Sequence, residues 1–272
     1  MANLQLKVRH RLMMKASNPN HEANFHSAEK TISLPMTETG FVLVDMWDAS
    51  GLPEEIHPGG TSFCERAARI TEEAIKPSLE AARALGLTVI HAPTVNVSEK
   101  YPQHYRRALE LEVDQPPAPI QRDWPPAQVQ AAWNQEMWEA RYADYSDEEQ
   151  RIMRDETRII KQAEPVDGEW LIGTGEHMHA ICRLEGLLNL IYVGFATNMC
   201  LLFKPGALWE MSRAGYRCVV LRDCTTGVEN AETYDGLDIT RAFVDWFEMH
   251  ALAYTALSED FIQACEAARP AD

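Results

Sequence analysis

Short apolar runs alternate with amphipathic stretches along most of this chain, and that alternation limits its possible folds more than any other feature. Such alternation is typical of βαβ units around a mostly parallel sheet. We predict six strands, at Phe41–Asp45, Leu87–His91, Thr157–Ile160, Leu190–Val193, Cys218–Leu221 and Ala253–Leu257. Helices are predicted at about residues 62–85, 175–186, 199–214 and 236–250. The sequence therefore predicts an α/β fold of three layers, α/β/α, with a mostly parallel six-stranded sheet in the middle.

The 272 residues are predicted to form a single domain, because α/β enzymes of this size often do. Residues 1–30 are polar, with weak alternation only over Leu4–Leu12, and we interpret them as an N-terminal arm or an added edge strand. Residues 99–156 separate two predicted strands by more than one crossover helix needs. We interpret them as an insertion over the sheet edge or active site, with a helix that places Val129, Trp133 and Met137 on one face.

The net charge of −16 argues against several classes of partner. Nucleic acids and anionic membranes recruit proteins through basic patches, so neither is expected here. The first residues lack the apolar core of a signal peptide, and the longest apolar stretch, Leu187–Phe203, is interrupted by polar residues and glycine. Six cysteines without a C-x-x-C pair fit a reducing compartment. We predict a cytoplasmic protein with a small-molecule partner.

Three side chains suited to base, acid and nucleophile chemistry follow predicted strands: Asp45, Lys161 and Cys200. The carboxyl ends of parallel strands meet at one edge of the sheet, where active sites assemble. Asn198 is a suitable N-cap and would place Cys200 in the first turn of a helix, where the helix dipole lowers the pKa of a thiol. Taken singly, the three could be a loop anchor, a solvated lysine and a buried structural thiol. Together they favour one site.

The ordered motifs of about residues 30–262 resemble the isochorismatase-like hydrolases, which include nicotinamidases, N-carbamoylsarcosine amidases, biuret hydrolases and ureidoacrylate hydrolases. The similarity rests on the segments Phe41–Asp45, Ile160–Lys161, Ile172–Thr174, Gly186, Gly194–Cys200, Ala214–Val220 and Asp223. The resemblance implies a Rossmann-like fold and a homo-oligomer. It also implies that Asp45, Lys161 and Cys200 form a catalytic triad.

The resemblance further implies the arrangement around the nucleophile. A cis peptide bond is expected at Phe195–Ala196, with the backbone N–H groups of Ala196 and Cys200 forming an oxyanion hole. The substrate is predicted to contact Trp47, Phe195 and Thr197, although packing in the core is an equal alternative for Trp47.

The implied reaction hydrolyses a C–N bond in a small amide or ureido compound through a thioester. Asp45 would accept the Cys200 proton and Lys161 would balance the negative charge. Metal-binding nicotinamidases carry an Asp-x-His motif that His57 and His91 do not reproduce, so we expect no metal and no cofactor. Two alternatives remain open: an isochorismatase-type hydrolase of vinyl ethers, and a non-catalytic ligand-binding protein on the same fold.

Overall fold

The computed structural model describes residues 3–14, 21–113 and 124–269. Its strands are β1 (Asn3–Leu12), β2 (His26–Pro35), β3 (Thr39–Val44), β4 (Trp47–Asp48), β5 (Thr88–Ala92), β6 (Arg158–Ile159), β7 (Trp170–Leu171), β8 (Asn189–Gly194), β9 (Arg217–Leu221) and β10 (Tyr254–Ala256). Its helices are α1 (Thr61–Ile70), α2 (Lys76–Leu85), α3 (Val95–Ser98), α4 (Pro102–Leu109), α5 (Ala127–Arg141), α6 (Asp147–Glu156), α7 (Gly175–Glu185), α8 (Cys200–Phe203), α9 (Leu208–Arg213), α10 (Asp238–Met249) and α11 (Ser258–Ala268). None of the helices in these ranges has the length and apolar character needed to cross a bilayer.

The central sheet has eight strands in the order β2-β1-β10-β9-β8-β3-β5-β7. The six from β10 to β7 are parallel to one another, which confirms the mostly parallel sheet. The other two come from the predicted N-terminal arm. Strand β1 pairs antiparallel with β2 and with β10, and its alternating Leu4, Leu6 and Val8 are buried. The arm is therefore an edge hairpin that enlarges the predicted six-stranded sheet to eight.

Apolar clusters cover both faces of the sheet. On β3, Phe41 and Leu43 belong to one cluster, while Val42 and Val44 belong to the other. Successive side chains of a strand point to opposite faces, so a strand covered on both sides reads as an unbroken apolar run. This is why the central strands could be recognised from sequence.

One predicted strand lies outside the main sheet. The predicted Thr157–Ile160 strand shrinks to β6, which pairs antiparallel with β4 in a separate two-stranded sheet. The main-chain N–H of Ile160 donates to the carbonyl of Met46 at 2.8 Å. On its outer side β5 pairs with β7, which the strand prediction missed. Lys161, placed after β6, therefore does not follow a strand of the parallel sheet.

The predicted insertion contributes helices α4, α5 and α6, with residues 114–123 of that prediction outside the described ranges. Helix α4 packs against β7. Helix α5 confirms the predicted helix, but it has no buried residue. Trp133 and Met137 are 61% and 71% exposed. The predicted apolar face of α5 is thus directed away from the core.

Gly194 lets the ends of β8 and β3 approach each other. Its φ of 109° lies where only glycine is unstrained, and a Cβ at this position would overlap the carbonyl oxygen of Val44. The next N–H, that of Phe195, donates to the same Val44 oxygen at 2.9 Å. The close approach therefore sets the positions of the residues that follow both strands.

Replacing Gly194 with alanine is expected to lower the free energy of unfolding by at least about 3 kcal/mol, since overpacking and backbone strain each cost about 1–3 kcal/mol. Gly215→Ala is the matched control, because Gly215 has a similar φ of 99° but nothing within 4 Å of a Cβ. Urea unfolding of both variants measures the difference. Equal losses would show that the contact with Val44 is unimportant.

Candidate active site

Asp45 follows β3 at the centre of the sheet and its side chain is fully buried. Its φ is +42°, in the left-handed region that aspartate and asparagine enter more readily than most residues. The backbone is held there because the N–H of Asp45 donates to the carbonyl of Ala92 at 3.2 Å, and the N–H of Trp47 donates to the carbonyl of Asp45 at 2.9 Å. The turn places the Asp45 carboxylate at the carboxyl edge of the sheet, beside the ends of β3 and its neighbouring strands.

Lys204 binds this carboxylate. Its Nζ lies 2.5 Å from Asp45 Oδ1 and 2.9 Å from the carbonyl oxygen of Ala92, and its side chain is only 10% exposed. A buried carboxylate without a partner is costly, so the ion pair with Lys204 stabilises Asp45 at this position. The second oxygen, Oδ2, is buried and has no hydrogen-bond partner of ordinary geometry within the described ranges.

Cys200 begins α8, a helix of a single turn that follows the loop after β8. The N-cap is Met199, so the prediction of an Asn198 N-cap is wrong. Asn198 instead binds Val228, accepting from its N–H at 3.0 Å and donating to its carbonyl at 3.1 Å. These bonds tie the loop carrying the nucleophile to the segment after β9.

The pKa of Cys200 is raised to about 12 rather than lowered as expected from a helix start. Burial is the largest cause, followed by the negative charge of the nearby Asp45 carboxylate. Lys204 and the backbone of Ala196 act in the opposite direction. The resting group is therefore a thiol beside a carboxylate whose second oxygen is otherwise unpaired.

Backbone donors also face this sulfur. The Phe195–Ala196 peptide bond is cis, as the resemblance implies. The N–H of Ala196 points toward the Cys200 sulfur and lowers its pKa. Neither this N–H nor that of Cys200 donates to a backbone carbonyl of the described chain. Neither predicted oxyanion donor is thus occupied by a backbone carbonyl of the described ranges.

Lys161 is not brought to these groups. It lies exposed in a 3-10 turn, Lys161–Ala163, which follows β6 outside the parallel sheet. It lines a cavity of about 470 Å³ together with Cys64 and His57. The geometry therefore revises the predicted lysine, and Lys204 takes the place beside Asp45 that we expected Lys161 to occupy. A lysine four residues after Cys200, within an otherwise apolar run, was the available sequence signal.

The three predicted substrate contacts separate into two groups. Phe195 is buried and packs edge-on against Phe63, and Thr197 is fully buried with its hydroxyl 2.8 Å from that of Thr225. Trp47 lines a cavity of about 340 Å³ at the carboxyl edge of the sheet. The other walls of this cavity include Thr94, Trp138 and Tyr142. Of the three, only Trp47 faces this space.

The histidines considered as metal ligands make internal contacts. His91 is buried with its Nε2 2.8 Å from Glu169, and Nε2 of His57 lies 3.1 Å from the carbonyl of Leu52. Burial lowers the pKa of His91. Within the described part of the chain, no group of three or more His, Cys, Asp or Glu side chains is arranged to hold a metal ion.

Lys204→Met is expected to destabilise the protein by about 3–5 kcal/mol, because it leaves Asp45 buried without a counter-charge. Adding Asp45→Asn should restore much of this loss, since both charges are then removed. Lys161→Met, at the exposed position, should change stability by no more than about 0.5 kcal/mol. Urea denaturation compares the four proteins. If Lys161→Met lost as much stability as Lys204→Met, the assignment of Lys204 as the partner of Asp45 would be contradicted.

The raised pKa of Cys200 predicts how the rate of its alkylation by iodoacetamide depends on pH. Because only the thiolate reacts, the rate should rise about tenfold per pH unit through neutral pH, without a plateau below a pKa of about 12. Mass spectrometry of the Cys200 peptide gives the rate. A plateau of the alkylation rate near pH 7 in the native protein would contradict this prediction.

Comparison with models of protein families gives no match, and comparison with curated proteins gives none either. Solved structures do match. A cysteine hydrolase from Pseudomonas syringae pv. phaseolicola 1448A is 14% identical with a TM-score of 0.56, and the match covers 87% of this chain and 96% of that one. An isochorismatase family protein from Desulfovibrio vulgaris subsp. vulgaris str. Hildenborough is 13% identical with a TM-score of 0.50, covering 84% and 98%. The chain therefore has the isochorismatase-like fold that its motifs predict.

Proposed function

We propose that the protein is a cysteine hydrolase that cleaves a C–N bond in a small amide or ureido compound through a thioester. The observation that carries the proposal is the contact between Asp45 and Cys200. A fully buried carboxylate, paired with Lys204, lies close enough to Cys200 for its negative charge to raise the pKa of that thiol. A thiol paired with a base is the usual form of a cysteine nucleophile.

The proposed reaction begins with proton transfer from the Cys200 thiol to Asp45 Oδ2. The sulfur attacks the substrate carbonyl carbon, and the N–H groups of Ala196 and Cys200 bind the oxygen that becomes negative. Asp45 then gives its proton to the leaving nitrogen, which departs as ammonia or an amine while the thioester forms. Water, deprotonated by Asp45, attacks the thioester and releases the acid, and the proton returns to the sulfur.

The high pKa of Cys200 determines the timing of the first step. A free thiolate is unfavourable beside the Asp45 carboxylate, because burial and that charge both raise the thiol's pKa to about 12. Proton transfer should therefore accompany attack on the carbonyl carbon, when charge passes from sulfur to the substrate oxygen. Lys204 offsets the negative charge of the site throughout, the role that the sequence assigned to Lys161.

The size of the cavity beside Trp47, at the same edge of the sheet as Cys200, favours a small substrate. The space beside Trp47 measures about 340 Å³, within the range of small-molecule sites. Helix α5 contributes Trp138 to its wall, and Tyr142 follows that helix directly. Aromatic side chains provide apolar contact area at little entropic cost, so the insertion would govern specificity rather than the chemical step. The exposed Trp133 on the same helix would then be available for contact with a second copy.

The alternative reactions make different demands on the site. Hydrolysis of a vinyl ether needs an acid but no nucleophilic thiol, and a ligand-binding protein needs neither. A thiol beside a buried carboxylate favours nucleophilic catalysis over both. The similarity to the Pseudomonas syringae cysteine hydrolase supports the same class. We also propose that the reaction requires no metal.

The proposal is tested by measuring ammonia release from a panel of small primary amides and ureido acids. Cys200→Ala should abolish turnover, and Asp45→Asn should reduce it by at least about 10²-fold, the usual size of a general-base contribution. Cys64→Ala is the matched control, because Cys64 is partly exposed but makes its hydrogen bond to the carbonyl of Pro58. A quenched reaction of the native enzyme should yield a thioester on the Cys200 peptide.

Substantial activity in Cys200→Ala would exclude the thioester and favour vinyl-ether hydrolysis. Binding of the amides without turnover would favour the ligand-binding protein. Loss of activity under a chelator, recovered with zinc, would overturn metal independence.

A further inference from the structure

A buried arginine on α1 takes no part in the proposed reaction. Arg66 is 9% exposed, and its guanidinium donates from Nε to the Thr226 hydroxyl at 2.7 Å and from Nη2 to the carbonyl of Gly227 at 3.0 Å. Both acceptors are neutral and lie in residues 225–228, which come after β9 and which we call the clamp segment. A charged group is costly to bury unless its donors are paired, so Arg66 and the clamp segment are expected to hold each other in place.

The clamp segment binds the loop between β8 and α8. The N–H of Thr197 donates to the carbonyl of Thr226 at 3.0 Å, and the hydroxyls of Thr197 and Thr225 lie 2.8 Å apart. Asn198 adds its two bonds to Val228. The hydrogen bonds therefore run from α1 through the clamp segment to the loop that ends at the nucleophile.

This loop carries the groups proposed to act on the substrate carbonyl. Ala196 supplies one oxyanion donor, and Cys200 supplies the sulfur and the other donor. Helix α1 also contacts the start of the loop directly, because the rings of Phe63 and Phe195 pack edge-on with centroids 6.2 Å apart. A displacement of the loop would change the distance from the sulfur to Asp45, so α1 and the clamp segment together determine that distance.

We propose, on the basis of the proposed function, that Arg66 is a positioning residue for the Cys200 nucleophile. It acts through the clamp segment rather than by touching the substrate. The clamp segment has a second anchor on α10, where Thr240 Oγ1 accepts from the N–H of Gly227 at 2.8 Å. Loss of Arg66 should therefore loosen the segment without releasing it, and the protein is expected to fold.

The kinetics of Arg66→Met test the proposal, with the best amide or ureido substrate of the panel. We expect kcat to fall at least about tenfold, since a reacting group misplaced by about 1 Å can cost about 10²-fold in rate. KM should change less than about twofold, because the cavity walls are unaltered. Arg69→Met is the matched control, because Arg69 is an exposed arginine one turn further along α1, and it should keep native kcat.

Thr226→Val provides a second variant that removes one acceptor of Arg66 and nearly keeps the shape of the side chain. It should also lower kcat with little change in KM. The double variant should be about as slow as Arg66→Met alone, because both changes break the same hydrogen bond and their effects are not additive. If Arg66→Met does not fold, Thr226→Val decides by the same measurements.

Hydrogen–deuterium exchange follows the loop without any turnover. In Arg66→Met the amides of Thr197 and Val228 should exchange at least about tenfold faster, while those of β3 and α2 keep their native rates. If the native enzyme turns over none of the substrates, the proposed function fails, and the exchange rates alone decide whether Arg66 positions the loop. Native kcat in Arg66→Met, native exchange at Thr197 and Val228, or a uniform rise in exchange along the chain would overturn the positioning role.

Discussion

The ion pair between Asp45 and Lys204 links the stability of the central sheet to the chemistry proposed for it. A carboxylate with no exposed surface would be unstable alone, and Lys204 supplies the charge that makes it tolerable. The same lysine anchors the segment that begins with Cys200, because it also donates to the carbonyl of Ala92 at the end of β5. One pair of charges thereby fixes the distance between base and nucleophile. It occupies only one oxygen of Asp45 and leaves the other for the thiol.

The pattern of apolar residues predicted burial more reliably than it predicted pairing. Strands β3, β5, β8 and β9 lie close to the predicted positions because helices cover both faces of the sheet. The Thr157–Ile160 run has a similar composition, but only two of its residues pair, and they pair with β4. The N-terminal hairpin gave a weak signal, since one face of β1 is exposed and its alternation runs over a short length. The composition of a strand does not determine which other strand it pairs with.

Sequence position likewise predicted some residues of the candidate site and missed others. Asp45 and Cys200 follow strands of the parallel sheet, so sequence position alone placed them at one edge. Lys204 is the C-cap residue at which α8 ends, with a ψ of 152°, and its side chain reaches Asp45 after β3. Phe195 and Thr197 are near the nucleophile in sequence, yet their side chains point into the core. Proximity along a loop does not determine which side chains face a substrate.

Thiol acidity does not distinguish Cys200 from the other cysteines. Burial raises the pKa of Cys64 to about 11 and those of Cys182 and Cys265 to about 12, and it raises those of Cys218 and Cys224 as well. A thiol with so high a pKa is inert unless a base removes its proton as it reacts. Cys200 combines partial exposure, proximity to the Asp45 carboxylate and a backbone N–H directed at its sulfur. Reactivity at this position would arise from the arrangement of its neighbours rather than from a thiolate at rest, so the Asp45–Lys204 pair matters as much to the proposed catalysis as the sulfur itself.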